Sequence, residues 1–451
     1  MDSRVTDVND RAMCTTGDYV LYWMIAARRT TYNFALDRAR QLAAELGKPL
    51  AVLEPLRAGY KWASDRHHAF VIEGMRDNAA AFERANIAYV PYVEPSPGAG
   101  KGLLAALAKH ACVVVTDEQP GFFLPRMVAA AGEHLDVKLE QVDGNGLMPL
   151  RGVDRWFSTA ASFRRELQKQ LAPHLIRFPA AKLPHAKLPR AKLPSLARWR
   201  SAAIDPSVLA KLPIDHAVAP VGYRGGSAAA NKLVHDFIAH KLSRYAEDHN
   251  DPDRDGASGL SPYLHFGHVS AHEVVARVWA DADWDPSRLA GAKVTGSREG
   301  WWGLPASSEA FLDELVTWRE LGYVFCHHRA DWGTYDSLPA WARATLDKHA
   351  KDPRSERYTR AELEHAETAD PIWNAAQRQL VGDGRIHNYL RMLWGKKILE
   401  WSASPRAAFE MLVELNNKYS VDGRDPSSNS GICWTLGLFD RAWGPERPIF
   451  G

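Results

Sequence analysis

At 451 residues the chain is too long for one ordinary hydrophobic core, which points to two domains. Its 46% hydrophobic and 24% charged residues are the balance of a soluble globular protein, and no apolar run approaches the ~20 residues of a membrane helix. A formal net charge of +2, from 56 basic and 54 acidic residues, excludes a global field for drawing in nucleic acid, so any positive patch must be local. The polar, charge-mixed residues 1–18 read as neither signal nor transit peptide, and a cytoplasmic address is expected, nucleoid-associated in a bacterial or archaeal cell. Cys14, Cys112, Cys326 and Cys433 lie far apart without metal-ligand spacing, so no metal site is expected.

In chain order, the apolar run 19–25 is too short for a helix and reads as a strand. Ala35, Ala39, Leu42, Ala43 and Leu46 then recur at helical spacing, and Gly47 with Pro49 ends that helix. A strand at 50–53, a helix at 66–84, a strand at 87–93 and a helix at 103–109 follow, then a strand at 111–115, a helix at 124–134 and a strand at 139–142. Such alternation predicts a parallel sheet covered on both faces. Residues 181–194 repeat AKLPH-AKLPR-AKLPS; proline at every fifth position bars helix, so an extended, exposed spacer is expected. Beyond residue 228 helical patterns dominate, most clearly at 231–244, 270–279, 308–325 and 371–401. The expected organisation is a tail (1–17), a Rossmann-like α/β domain (18–178), a linker (179–227) and an all-helical domain (228–451).

Two nucleotide motifs fail. In Gly98-Ala99-Gly100-Lys101-Gly102 the first glycine of a phosphate loop would fall on Pro95, and Gly102 replaces its Ser/Thr; no G-x-G-x-x-G follows the first strand. The run Ser258-Gly259-Leu260-Ser261-Pro262 is different: Ser261 as N-cap and Pro262 at N1 would open a helix whose N-terminus suits a pyrophosphate. Of 16 tryptophans, 12 follow residue 270, which core packing alone could explain. On a helix over 388–401, however, Asn388, Arg391 and Met392 share one face and Trp394 and Trp401 an adjacent one, so polar groups and indoles would flank the same surface. Glu314 and Trp318, four apart, also share a helix face.

Residues 258–267 resemble the FAD-pyrophosphate segment of the photolyase/cryptochrome family, and Tyr245 resembles the tyrosine that packs near the flavin phosphates there. The runs Ala366-Glu367-Thr368-Ala369-Asp370-Pro371-Ile372-Trp373-Asn374-Ala375-Ala376-Gln377 and Arg391-Met392-Leu393-Trp394-Gly395-Lys396-Lys397-Ile398-Leu399-Glu400-Trp401 are similar to class II cyclobutane pyrimidine dimer photolyases in particular. So are Leu415-Asn416-Asn417-Lys418-Tyr419, Asp422-Gly423-Arg424-Asp425-Pro426, the ending Glu446-Arg447-Pro448-Ile449-Phe450-Gly451, and Ala27-Arg28-Arg29-Thr30 after the first strand.

The resemblance implies an antenna-type α/β domain, where a deazaflavin-type chromophore would sit, and a helical catalytic domain binding FAD. It implies that Tyr245, Ser258, Gly259, Leu260, Ser261, Asn388, Arg391, Asp422, Gly423 and Asp425 hold FAD. Arg391 and Asp422 would form an ion pair beside the flavin ring, and Asn416 would face its N5. Trp373, Trp394 and Trp401 would relay electrons from the surface, while Glu314, Trp318, Met392 and Trp434 would line the lesion pocket. The implied activity is light-driven splitting of a pyrimidine dimer flipped out of UV-damaged DNA, by a monomer. The alternative is a cryptochrome-like flavin photoreceptor without repair activity.

Overall fold

Strand β1 (Val5–Asp7), expected to be tail, is too short for alternation to register in sequence; it lies antiparallel on a sheet edge with Val5 opposite Val142. The computed structural model describes residues 2–289 and 291–451. β2 (Tyr19–Trp23) is buried throughout, and α1 (Phe34–Leu46) opens on the Asn33 side chain and closes at Gly47 in the left-handed conformation, φ 63°. β3 (Leu50–Leu56), α2 (Asp65–Arg84), β4 (Ala88–Val93) and α3 (Leu103–Ala108) continue the alternation. β5 (Ala111–Glu118), α4 (Leu124–His134) and β6 (Leu139–Asp143) complete it. The strands run in the order β1-β6-β5-β2-β3-β4, parallel apart from β1 with β6. Tyr19, Leu21 and Trp23 feed the core on one face, Val20 and Tyr22 the core on the other. Burial on both faces is why these strands read as unbroken apolar runs.

The sheet winds outward both ways from β2, so its switch point lies between β2 and β5. There the Asp117 carboxylate accepts from the backbone N–H groups of Ile25, Ala26 and Ala27 at 2.8, 2.8 and 3.0 Å. An internal anion thus fills the position a bound phosphate would take, in keeping with the missing glycine fingerprint.

The AKLP repeat is extended, as expected, but it is not a free spacer. Leu183 and Ala186 pack on one sheet face, and Ala191, Leu193, Leu196 and Trp199 on the other. Apolar residues inside each repeat have a greasy surface to cover, and burying them outweighs the entropy of a loose chain.

Helices follow: α5 (Ala160–Gln170), α6 (Ser227–His240), α7 (Tyr245–Asp248), α8 (Ser261–His265) and α9 (Ala271–Asp281). The single helix expected over 308–325 is two, α10 (Ala306–Leu312) and α11 (Arg319–His328), joined by a π-helical turn at Asp313–Trp318. α12 (Ala340–Lys348) and α13 (Arg360–Glu364) precede α14 (Pro371–Asp383). The run expected over 371–401 also breaks: Gly384, at φ 66°, ends α14 before α15 (Asn388–Trp401) begins. α16 (Pro405–Tyr419) and α17 (Pro426–Trp434) close the series. No helix among the described residues is long and apolar enough to cross a membrane.

Two compact units emerge: Met1–Gly152, Pro173–Asp236 and Gly259–Asp283 form the sheet unit, and Val153–Ala172, Phe237–Ser258 and Trp284–Gly451 the helical unit. Unlike the contiguous boundaries read from the sequence, α5 counts with the helical unit and α8 and α9 with the sheet unit.

Candidate functional site

The helical unit brings Trp373, Trp394 and Trp401 together. α14 starts where Asp370 accepts from the N–H groups of Ile372 and Trp373, which sets the Trp373 ring against α15. The Trp373 and Trp394 rings stack with nearly parallel planes at 6.5 Å between centroids, and Trp401 meets Trp373 edge-on at 5.5 Å. Trp373 Nε1 donates to the Trp394 carbonyl at 3.1 Å, and Trp394 Nε1 to Gln377 Oε1 at 2.8 Å. All three are nearly sealed, at 3%, 1% and 3% exposure for Trp373, Trp394 and Trp401. The contact series continues to the half-buried Tyr358, edge-on to Trp401 at 5.1 Å. Nothing in sequence spacing singles out this tyrosine.

Of the expected flavin residues, Asn388 is exposed in the first turn of α15. Arg391, one turn on, is half-buried, with a buried Nε that has no hydrogen-bond partner. The expected Arg391–Asp422 ion pair is not formed among the described residues. Asp422, buried in the loop after α16, instead accepts from the Ser420 hydroxyl two residues away, a local contact that orders little extra chain. A buried guanidinium N–H without an acceptor costs about 1–3 kcal/mol, so Arg391 fits a bound group carrying acceptor atoms or negative charge.

Asn416 is buried, and its Nδ2 donates to Gly423 O at 3.0 Å, Ser428 Oγ at 3.1 Å and Asn417 Oδ1 at 3.1 Å. Its Oδ1 accepts no hydrogen bond from the described residues, so the amide offers an acceptor. A Cβ on Gly423 would strike the Asn416 carbonyl oxygen, so only glycine lets this loop lie against the end of α16. One Asp425 carboxylate oxygen caps α17 through Ser427 N at 2.9 Å, and the other accepts from Tyr323 Oη at 2.7 Å. Ser261 lies one position inside α8, whose N-cap is Leu260, so the expected serine cap is absent. Leu260 is buried with helical dihedrals, which sets the helix frame one residue early; Gly259 before it has φ 68°. Ser258 falls in the helical unit and Gly259, Leu260 and Ser261 in the sheet unit.

The π turn carries two of the expected lesion residues, Glu314 and Trp318. Glu314 keeps an exposed side chain although protein atoms crowd its carboxyl. Burial, reinforced by the neighbouring Asp313 charge and opposed by Arg164 and Arg298, pushes its carboxyl up to about 7. Burial and the Glu314 charge raise the Tyr245 hydroxyl as well, so an expected cofactor residue and an expected substrate residue sense each other. Tyr245 itself stacks on His249 at 4.6 Å and meets Phe237 and Phe311 edge-on. Trp318, at the end of the turn, packs against Trp434 at 5.2 Å with the planes tilted by 37°, and both rings are half-exposed. α15 crosses closely there, since a Cβ on Gly395 would lie 2.6 Å from Thr435 Cγ2; Met392, half-buried, is one turn earlier. The turn is clamped from α5, where Arg164 grips Asp313 through two bonds of 2.6 and 2.7 Å. A separation of 149 residues hides this pair from sequence reading.

No protein-family model matches the chain. It is 34% identical over 450 residues to the deoxyribodipyrimidine photo-lyase of Methanothermobacter thermautotrophicus, covering 99% of this chain and 92% of that one. The photo-lyase of Oryza sativa subsp. japonica is 33% identical over 454 residues, covering 96% and 83%. In fold it resembles a cryptochrome of Synechocystis, with a TM-score of 0.70 at 16% identity over 96% of this chain and 84% of that one. Identity sustained from end to end over photo-lyases, rather than the shared fold, decides the assignment: the chain belongs to the deoxyribodipyrimidine photo-lyase family.

Proposed function

We propose that this protein repairs cyclobutane pyrimidine dimers in DNA under light, as a class II photolyase using FAD. The observation that carries this reading is the open Trp318–Trp434 pair, in which Trp318 shares the π turn with Glu314, whose carboxyl burial pushes up to about 7. The chemistry FAD supplies when bound is light-driven donation and recovery of one electron, with no net redox change.

The chain's own residues do the rest. Arg391 offers an unsatisfied N–H and a fixed positive charge, which favours an anionic ring beside it. Asn416, its amide nitrogen already engaged, would offer Oδ1 as an acceptor to the cofactor. Trp318 and Trp434 give a flipped dimer apolar rings to stack on, recovering part of the few kcal/mol spent on unstacking. Glu314, protonated below about 7, donates a hydrogen bond to a pyrimidine carbonyl and becomes acceptor-only above it. Trp373, Trp394 and Trp401 exclude water from one another and form a path for an electron from the surface inward. A second chromophore has no comparable support in the sheet unit, whose switch-point amides are given to Asp117.

The deciding experiment illuminates purified protein with DNA carrying either a cyclobutane dimer or a (6-4) photoproduct. Reversal of the dimer alone is the expected result. No reversal of either, with a flavin spectrum present, would favour the photoreceptor reading.

A further inference from the structure

The lysines of the AKLP repeat take no part in the chemistry above. We infer that residues 179–202 form a basic strap that binds the phosphate backbone of duplex DNA without regard to lesion or sequence. This rests on the reading that DNA is the substrate.

No acidic residue occurs between Glu166 and Asp205, although the whole chain has a net charge of only +2. Lys182, Lys187, Lys192, Arg198 and Arg200 are all exposed, and among the described residues none has an ion-pair partner; Arg190 pairs with Glu83. An ordinary spacer would be loose. This one is held at both ends and in the middle. Ala180 N donates to Asp37 Oδ2 at 2.7 Å, and Ala186 N to the Ala85 carbonyl at 2.8 Å. Trp199 Nε1 donates to the Lys101 carbonyl at 3.0 Å, and Ala202 N to the Val93 carbonyl at 2.9 Å. Ala85 precedes β4, Val93 ends it, and β4 is the edge strand, so the strap rounds this edge from one face of the sheet to the other.

In the first and third repeats the leucine faces a core, whereas in the second Leu188 is exposed and Ala186 packs instead. Leu183 and Leu193 turn inward to the two cores while Lys182, Lys187 and Lys192 point to water. At ~3.1 Å per residue of extended chain the lysines are roughly 15 Å apart, far enough to meet separate phosphates. Anchoring removes the ordering cost that a flexible basic tail would meet on binding. Lysine, a point charge rather than a planar fork, suits contacts that hold a backbone and read no base.

The test replaces Lys182, Lys187 and Lys192 by glutamine in the full chain, with lysine-to-arginine replacement at the same positions as control. Affinity for an undamaged duplex is measured across a salt series, and illuminated repair is measured on a short dimer-containing oligonucleotide. Loss of three phosphate contacts should flatten the slope of log K against log salt by about 2 to 3 in the glutamine variant. The arginine variant should keep the slope, and repair of the short substrate should be unchanged in both. An unchanged slope in the glutamine variant, with wild-type repair intact, overturns the strap. So does loss of binding to anionic phospholipid vesicles with no change toward DNA, which would make it a membrane contact. Absence of repair in the wild type would instead defeat the functional reading, leaving the salt slope to judge the strap.

Discussion

The helical unit holds two sets of tryptophans that differ in almost every physical respect. Trp373, Trp394 and Trp401 are sealed, and two of their indole N–H groups are satisfied by the protein. Trp318 and Trp434 are half-exposed and tilted against each other. A closed series has nothing to offer a ligand but keeps ring-to-ring distances constant, as charge transfer requires. An open pair leaves faces for something else to cover. Residue type is the same in both sets; access to water separates their uses.

Four substitutions break or sharpen that contrast. The largest effect is expected from Trp373→Phe, which removes the ring that touches both Trp394 and Trp401. Photoreduction of oxidised flavin should fall to near background, while enzyme reduced chemically beforehand repairs at close to the normal rate. Equal loss of both would show that the closed set is packing and nothing more. Next, Trp434→Ala should weaken binding of dimer-containing DNA by roughly 10–100-fold, the loss of one stacking partner worth about 1–3 kcal/mol. Photoreduction should be untouched, and a titration against damaged and undamaged duplex would show whether the loss is lesion-specific.

The smallest effect concerns the carboxyl that shares the π turn with Trp318. With Glu314 protonated below about 7, repair yield should decline as pH rises through that value. Arg164 lowers this carboxyl's pKa and Asp313 raises it, so breaking their ion pair from either side has opposite consequences. Arg164→Gln should move the decline to higher pH and Asp313→Asn to lower pH, each read from repair yield across pH 5–9. Shifts in the same direction would mean the pair matters only for holding the turn.

Recognition from sequence was uneven for reasons visible in particular residues. The α/β alternation was legible because each strand is buried on both faces and each helix has one apolar stripe, both local patterns. β1 escaped because three residues carry no period. The π turn escaped because an extra backbone residue per turn leaves composition unchanged, and the break at Gly384 was hidden inside a continuous helical pattern. Among site residues, the three closed tryptophans were found and do meet. Arg391 and Asp422 were also singled out, but their ion pair was not borne out, since Ser420 reaches Asp422 locally. Asp425, expected to hold the cofactor, caps α17 and accepts from Tyr323, contacts that motif resemblance does not reveal.

Sequence alone determined most element types, a parallel sheet covered on both faces and which residue types could serve a flavin and a lesion. These follow from short-range periodicity, capping and motif resemblance. Tertiary structure decided which tryptophans are sealed and which are open, that Arg164 grips the turn bearing Glu314, and that the proline-rich repeat is a pinned strap. Each of those depends on contacts between residues distant in the chain, where packing and local dielectric, rather than propensity, set the outcome.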